Sequence, residues 1–146
     1  MVLARALTFC VRLLSTSKHH PTWEVVDSKS VDPVHAWDCD DMDDSDAEIL
    51  AVHGEDIVRS YIFEVRSPGD VSKAVSAAQH RLLQEARTMG YNALWREGWQ
   101  MTLFRQGSRL RIEVRYTAMP ASLSAAPLKT PRPPFIGVLN QRMLTH

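Results

Sequence analysis

Alternating apolar and polar positions predict three strands between residues 57 and 118. In "RLRIEVRYTA", at 109–118, every second residue is apolar and the others are mostly charged, which is typical of a strand with one buried face. "IVRSYIFEVRS" at 57–67 and "ALWREGWQMTLF" at 93–104 alternate less strictly and are predicted as strands on the same grounds. Between the second and third strands, "RQGS" predicts a tight hairpin turn in which Gly107 takes a positive φ.

A single amphipathic helix is predicted between the first two strands. Its apolar residues recur three and four positions apart, as one buried helix face requires: Val71, Ala74, Val75, Ala78, Leu82, Ala86 and Met89. Ser67 is suited to cap the helix, Pro68 to its first position, and Asp70 stands three residues after the cap. Gly90, just past the last apolar position, predicts where the helix ends.

Together these elements predict an α+β fold. Residues 57–118 form a β-α-β-β unit in which one helix packs on a three-stranded sheet, and a right-handed crossover makes the first two strands parallel neighbours. Residues 23–56 precede it as an acidic, largely irregular arm, and residues 119–146 follow it as a Pro-rich tail with an apolar end segment, "FIGVLNQRML". A unit of this size often needs a second subunit, or an extra element, to bury enough surface, and we expect this one to oligomerise.

The stretch from the helix to the last strand also resembles a known family. An Ala-rich helix, the step "GYNAL" at 90–94, two hairpin strands and a last strand closing in "YTA" at 116–118 make residues 60–118 similar to the bacterial YbjQ family. The resemblance implies a small α+β unit that assembles into rings, and it supplies no catalytic residues. Tyr116, where the family usually has Gly, the Arg-rich outer face and two tryptophans depart from its pattern.

Charge is segregated along the chain, although the net charge is zero. Residues 23–56 hold twelve acidic residues and one basic residue, Lys29, and "DCDDMDDSDAE" at 38–48 has seven carboxylates in eleven positions. Such a segment has too few apolar residues to fold alone. We expect it either to lie over outward-facing arginines, in the same chain or in a neighbouring subunit, or to remain a solvated spacer that touches nothing.

The second and third strands also predict a basic face on the sheet, formed by Arg96, Arg105, Arg109, Arg111 and Arg115. Sheets that bind RNA place aromatic side chains among such basic residues for stacking. Here the aromatic residues alternate onto the opposite, buried face, so nucleic acid is not an expected partner. A protein partner or a second copy of the chain is expected instead.

The two ends of the chain carry different signals. Residues 1–22 contain Arg5, Arg12 and Lys18, no acidic residue, and apolar residues at helical spacing, which is typical of a mitochondrial targeting segment. The N-terminus of a cytoplasmic protein is the alternative. In the tail, "TPRPP" is predicted to be a polar linker. No apolar run approaches the ~20 residues that span a membrane.

Candidate metal sites in the sequence are incomplete. A calcium loop that begins at Asp38 would have Met42 where an acidic ligand is needed and Asp43 where Gly is needed. His35 and Cys39 have the ligand spacing of a helix, but the Asp-rich, Pro-flanked sequence around them disfavours one. No metal and no cofactor is therefore expected.

No residue pattern specifies a reaction. Glu85 and Glu97 are single titratable residues without a partner that is evident from the sequence. The sequence therefore favours a non-enzymatic binding or assembly module that oligomerises through its α+β domain. The alternative is a small ligand-binding protein or enzyme whose pocket lies near Trp95, Trp99 and Tyr61, aromatic side chains that suit a flat ligand.

Overall fold

The computed structural model describes residues 22–35, 48–126 and 130–140 of the chain. Its regular elements follow one another in the order β1 (Glu24–His35), β2 (Ile49–Val52), β3 (Ile57–Val65), α1 (Val71–Thr88), β4 (Ala93–Gln106) and β5 (Arg109–Leu123). Short 3-10 helices lie at Pro68–Asp70 and Ile136–Asn140. The predicted α+β class is confirmed, since one helix packs on one sheet.

The sheet has five strands, and its pairings are antiparallel. The long strand β5 pairs with β4 on one side and with β3 and β2, end to end, on the other, while β1 pairs with the far side of β4. The predicted three-stranded sheet is therefore wrong in detail. The strands β3 and β4 run parallel but are not neighbours, because the β4–β5 hairpin, turning at Gly107 (φ 60), places β5 between them.

Two parts of the predicted acidic arm belong to the sheet. Residues 24–35 form β1 and residues 49–52 form β2, so the expectation of a largely irregular segment is wrong for them. Antiparallel pairing with β4 satisfies the main-chain groups on one side of β1, and Val31 packs against the core. Six of the seven carboxylates of the run at 38–48 lie in residues 36–47, outside the described residues, and residues 1–21 are outside them as well. The arm and the targeting segment stay predictions.

The predicted helix is confirmed, but Ser67 and Pro68 begin a 3-10 turn, and the α-helix itself starts at Val71. At its start, the Ser67 main-chain N–H donates to the Asp70 carboxylate at 3.4 Å, next to the 3-10 turn that begins with Pro68. At its end, Gly90 adopts a φ of 92°, a conformation that glycine takes without steric cost. This left-handed residue turns the chain from α1 back towards the sheet.

The hydrophobic core lies between α1 and one face of the sheet, which we call the inner face. Side chains such as Val75, Ala78 and Leu82 from α1 meet Ile112 and Val114 from β5, and all five are fully buried. The opposite, outer face carries the other residues of each strand. In β4 and β5 it presents mainly polar side chains, among them Gln100, Thr102, Glu113 and Arg115.

Candidate functional site

A buried polar cluster interrupts the apolar inner face. Glu97 on β4 is only 4% exposed, and its Oε1 atom accepts two hydrogen bonds. One comes from the Tyr116 hydroxyl on β5 at 2.8 Å, and the other from the Gln79 side-chain amide on α1 at 2.9 Å. The helix and two strands therefore meet at a single carboxyl oxygen.

Burial has a large effect on the acidity of this cluster. Removal from water raises the pKa of Glu97 to about 7, although the hydrogen bonds from Gln79 and Tyr116 oppose the shift. The pKa of the Tyr116 hydroxyl is raised well above its ordinary value, first by burial and then by the neighbouring Glu97. The carboxyl thus changes its protonation state near neutral pH. Because Glu97 is enclosed by the core, a substrate does not reach it in this conformation.

The C-terminal residues 130–140, called the tail segment below, dock against the same cluster. Gln79 donates a hydrogen bond to the carbonyl oxygen of Pro131 at 2.8 Å, and the Trp99 indole N–H donates to that of Pro134 at 2.9 Å. The Lys29 ammonium on β1 donates to the carbonyl oxygen of Val138 at 3.2 Å. Side chains from α1, β4 and β1 therefore bind three main-chain carbonyls of one segment.

Apolar contacts accompany these bonds. Pro133, Pro134 and Ile136 are buried, while Arg132 before them and Phe135 between Pro134 and Ile136 are exposed. The interpretation of "TPRPP" as a polar linker is therefore wrong. The sequence does not show these hydrogen bonds, because no local pattern marks Gln79 and Trp99 as donors and their partners lie 52 and 35 residues away in the chain.

The three aromatic residues predicted to line a pocket lie in different surroundings. Trp99 is 2% exposed and bonded to the tail segment. Trp95 stands where the β4–β5 register shifts, between Leu94 and Arg96, and its ring centre lies 5.1 Å from that of His35. Tyr61 lies on β3, which β5 separates from β4. The register shift puts Leu94 into the core in place of Trp95.

Four of the five predicted basic residues lie on the outer face. Arg96 and Arg115 form no ion pair with a described residue there, and Arg109 pairs with Glu64 on β3. Arg105 falls in the inner row instead, since it pairs with Leu110 in the sheet, and it contacts Glu24 at 3.4 Å.

Two aromatic residues share the outer face with these arginines. The guanidinium carbon of Arg111 lies 4.3 Å from the centre of the Trp23 ring and 5.4 Å from that of Phe104. The expectation that the aromatic residues all turn inward is therefore wrong for Trp23 and Phe104. Both rings contact the Arg111 guanidinium, so the cluster joins the start of β1 to the β4–β5 hairpin.

The two outer edges of the sheet differ in character. On β1, the pairing with β4 shifts register twice, and the strand carries Lys29 and Pro33. On β3, the pairing with β5 is regular over nine residues, without Pro or Lys, and Val58 and Ile62 expose apolar side chains. Among the described residues, β3 pairs with β5 alone. Of the two edges, the β3 edge is therefore the better suited to pair with a further strand.

Within the described residues, no three His, Cys, Asp or Glu side chains lie close enough to hold a metal ion. His35 lies against Trp95, and its predicted companion Cys39 is outside the described residues. In the same part of the chain, no helix is both long and apolar enough to cross a membrane.

No family model, curated protein or solved structure matches this chain. The resemblance to the YbjQ family therefore stays a prediction. The features that bear on function are the buried cluster, the docked tail segment and the β3 edge, which pairs with no further strand of the described residues.

Proposed function

We propose that this chain is a non-enzymatic assembly module that associates with a second copy through the free edge of β3. The observation that carries the proposal is the exposure of Ile62, which is 59% accessible in the middle of a regular strand. A strand edge of this kind presents unpaired main-chain groups beside apolar side chains. A second strand satisfies the main chain and covers Ile62 at once.

Comparison of the two edges supports β3 as the surface of association. Natural sheets protect an edge with lysine, proline and bulges, and β1 has all three: Lys29, Pro33 and two register shifts. None of these features occurs in β3. Exposed apolar residues continue along the same side of β5 into β2, where Leu50 is also exposed.

The sequence of β3 is compatible with antiparallel pairing to itself. If the two-fold axis passes through Ile62, this side chain meets Ile62 of the second copy, and Tyr61 meets Phe63 of the second copy in two equivalent pairs. Glu64 then stands opposite Ser60, so no like charges meet. Cross-strand aromatic pairs contribute about 0.2–1 kcal/mol each.

The enclosed position of Glu97 supports a role other than catalysis. This carboxyl, with its pKa raised to about 7, would be the natural acid or base of an enzyme. Here both of its described partners, Gln79 and Tyr116, are buried with it, and they connect structural elements. The cluster is better suited to hold the module together.

Light scattering coupled to size-exclusion chromatography tests the proposal on the full chain, whose monomer mass is 16.5 kDa. We expect a dimer or larger closed assembly for the wild type and a monomer for Ile62→Lys, because the new charge would be buried against its own copy. Val25→Lys is the matched control, since Val25 is 63% exposed but lies on β1. A monomeric wild type, or an Ile62→Lys variant that assembles as the wild type does, would contradict the proposal.

A further inference from the structure

The contacts of the tail segment have the form of peptide recognition. We propose that Gln79, Trp99 and Lys29 line a groove that binds an extended Pro-x-x-Pro segment of a partner protein, and that the chain's own tail segment occupies this groove in cis. The groove lies between α1 and the β1–β4 side of the sheet, away from the β3 edge. The proposal therefore does not depend on how the chain assembles.

The spacing of the bound carbonyls supports this assignment. Pro131 and Pro134 are the two prolines of a Pro-x-x-Pro motif, and their carbonyl oxygens accept from Gln79 and Trp99 at 2.8 and 2.9 Å. A polyproline helix has three residues per turn, so carbonyls three residues apart point the same way. Proline also holds the residue before it in an extended conformation, which prepares the segment for binding.

Both main donors are fixed before any segment binds. Trp99 is held within the core cluster. Gln79 gives one amide hydrogen to Glu97, which also accepts from Tyr116, and this leaves its other hydrogen directed at the Pro131 carbonyl. A buried donor without a partner is costly, so the groove favours an occupant that supplies a carbonyl at this point.

The groove contacts the main chain and covers the rings of Pro133 and Pro134, whereas Pro131 is held by its carbonyl and its ring is exposed. Pro133 and Pro134 are buried, and Ile136 is buried two residues further on, whereas Arg132 is exposed. Recognition of this kind accepts many residues at the position of the exposed Arg132 but favours an apolar residue at that of the buried Pro133. It selects a class of segment: Pro-x-x-Pro followed, after one residue, by an apolar side chain.

The conformation of the tail segment favours a partner protein as the competing occupant. Phe135 adopts a φ of 53°, in the left-handed region that a bulky aromatic residue rarely enters. A second copy would bring the same strained Phe135 and would gain no contact. A partner segment with Gly at this position would make the same bonds without the strain.

Isothermal titration calorimetry with a synthetic peptide of residues 130–138 carrying Phe135→Gly tests the proposal. The full chain with Ile136→Asp loses the apolar anchor of its own tail and should bind this peptide. The wild-type chain should bind it at least about tenfold more weakly, because a tethered segment competes at a high effective concentration. Pro131→Ala and Pro134→Ala together in the peptide, or Trp99→Phe in the Ile136→Asp chain, should weaken binding by about tenfold.

Circular dichroism first establishes that the Ile136→Asp chain is folded. If that chain does not fold, Ile136→Ser replaces it, because this change also removes the apolar anchor of the tail segment and leaves Gln79, Trp99 and Lys29 unchanged. A folded chain of either kind that binds no peptide at millimolar concentration would overturn the proposal. A wild-type assembly that separates into monomers on Ile136→Asp would assign the groove to the tail of a second copy and overturn the partner assignment.

Discussion

The ionisation of Glu97 should make the stability of this protein fall as the pH rises towards neutrality. Its pKa is about 7 in the folded chain, compared with 4.5 for an ordinary glutamate. The folded state thus binds the proton more tightly than the unfolded state does. The stabilising contribution is complete below about pH 4.5, decreases between that value and about pH 7, and is lost above it.

The size of the effect follows from the same two values. One pKa unit corresponds to about 1.4 kcal/mol, so the difference between about 7 and 4.5 corresponds to about 3 kcal/mol of unfolding free energy. This is a large part of the roughly 5–15 kcal/mol by which small domains are stable. Other groups titrate over the same range, so the contribution of Glu97 has to be isolated by difference.

Urea unfolding of the wild type and of Glu97→Gln, from about pH 5 to about pH 8, provides that difference. A glutamine keeps an oxygen that accepts from Tyr116 and Gln79 but carries no charge. We expect Glu97→Gln to become more stable relative to the wild type as the pH rises, by up to about 3 kcal/mol across the range.

The matched control is Glu55→Gln, which changes the same functional group in the exposed turn before β3. Its stability difference from the wild type should stay within about 0.5 kcal/mol throughout. A constant difference between the wild type and Glu97→Gln at every pH would refute the reasoning. It would mean that Glu97 is either solvated or already neutralised by a partner in the folded protein.

Two further substitutions test the pairing of β1 with β4 and the ion pair between β3 and α1. Gly98→Ala should weaken the β1–β4 pairing, because the added Cβ atom would lie 2.6 Å from the main-chain nitrogen of Pro33. We expect a loss of more than about 2 kcal/mol in the free energy of unfolding, measured with urea. Gly137→Ala is the control, since no atom lies within 4 Å of the Cβ position there. The Arg59 guanidinium lies 2.6 Å from the Glu85 carboxylate, but both side chains are solvent-accessible. Arg59→Ala should therefore lower the free energy of unfolding by less than about 1 kcal/mol, and by less still at high salt. A loss of several kcal/mol for Arg59→Ala that does not decrease at high salt would show that the pair is effectively buried.

Local signals in the sequence predicted the helix and the β4–β5 hairpin well. Periodicity identifies Val75 and Leu82 as one helix face, and Gly90 and Gly107 mark the turns. The strand neighbours were not predictable in the same way. Alternation indicates which side chains of a strand are buried. It does not indicate which strand lies beside β5, because strand order depends on pairing between residues far apart in the chain.

The strand β1 was not predicted, because the acidic composition of the segment favours an irregular conformation and its alternation is weak. Its acids and Pro33 resemble an unfolded segment, but an edge strand tolerates proline and charge since one side of its main chain faces away from the sheet. The register shift at Trp95 was also beyond prediction. A bulge is one extra residue in the pairing, and nothing in "ALWREG" identifies it.

The buried position of Glu97 was available from the sequence in part. It stands two residues before Trp99 and therefore shares its face in a strand, although its charge favours an outward position. The sequence does not show the hydrogen-bond partners that offset the cost of burying the Glu97 carboxyl. Gln79 comes from the helix and Tyr116 from the next strand, eighteen and nineteen residues away along the chain.

These partners also give a physical reason for a carboxyl in the core. A leucine at position 97 would avoid the cost of burial, but it would leave one amide hydrogen of Gln79 without an acceptor and Gln79 without a fixed orientation. The carboxyl instead connects Tyr116 in the sheet, through Gln79 in the helix, to the Pro131 carbonyl in the tail segment. Stability at neutral pH is lowered so that a donor in the groove is held in position. A loss of stability that fixes a hydrogen-bond donor is expected in a protein that binds a peptide segment, as proposed for the groove.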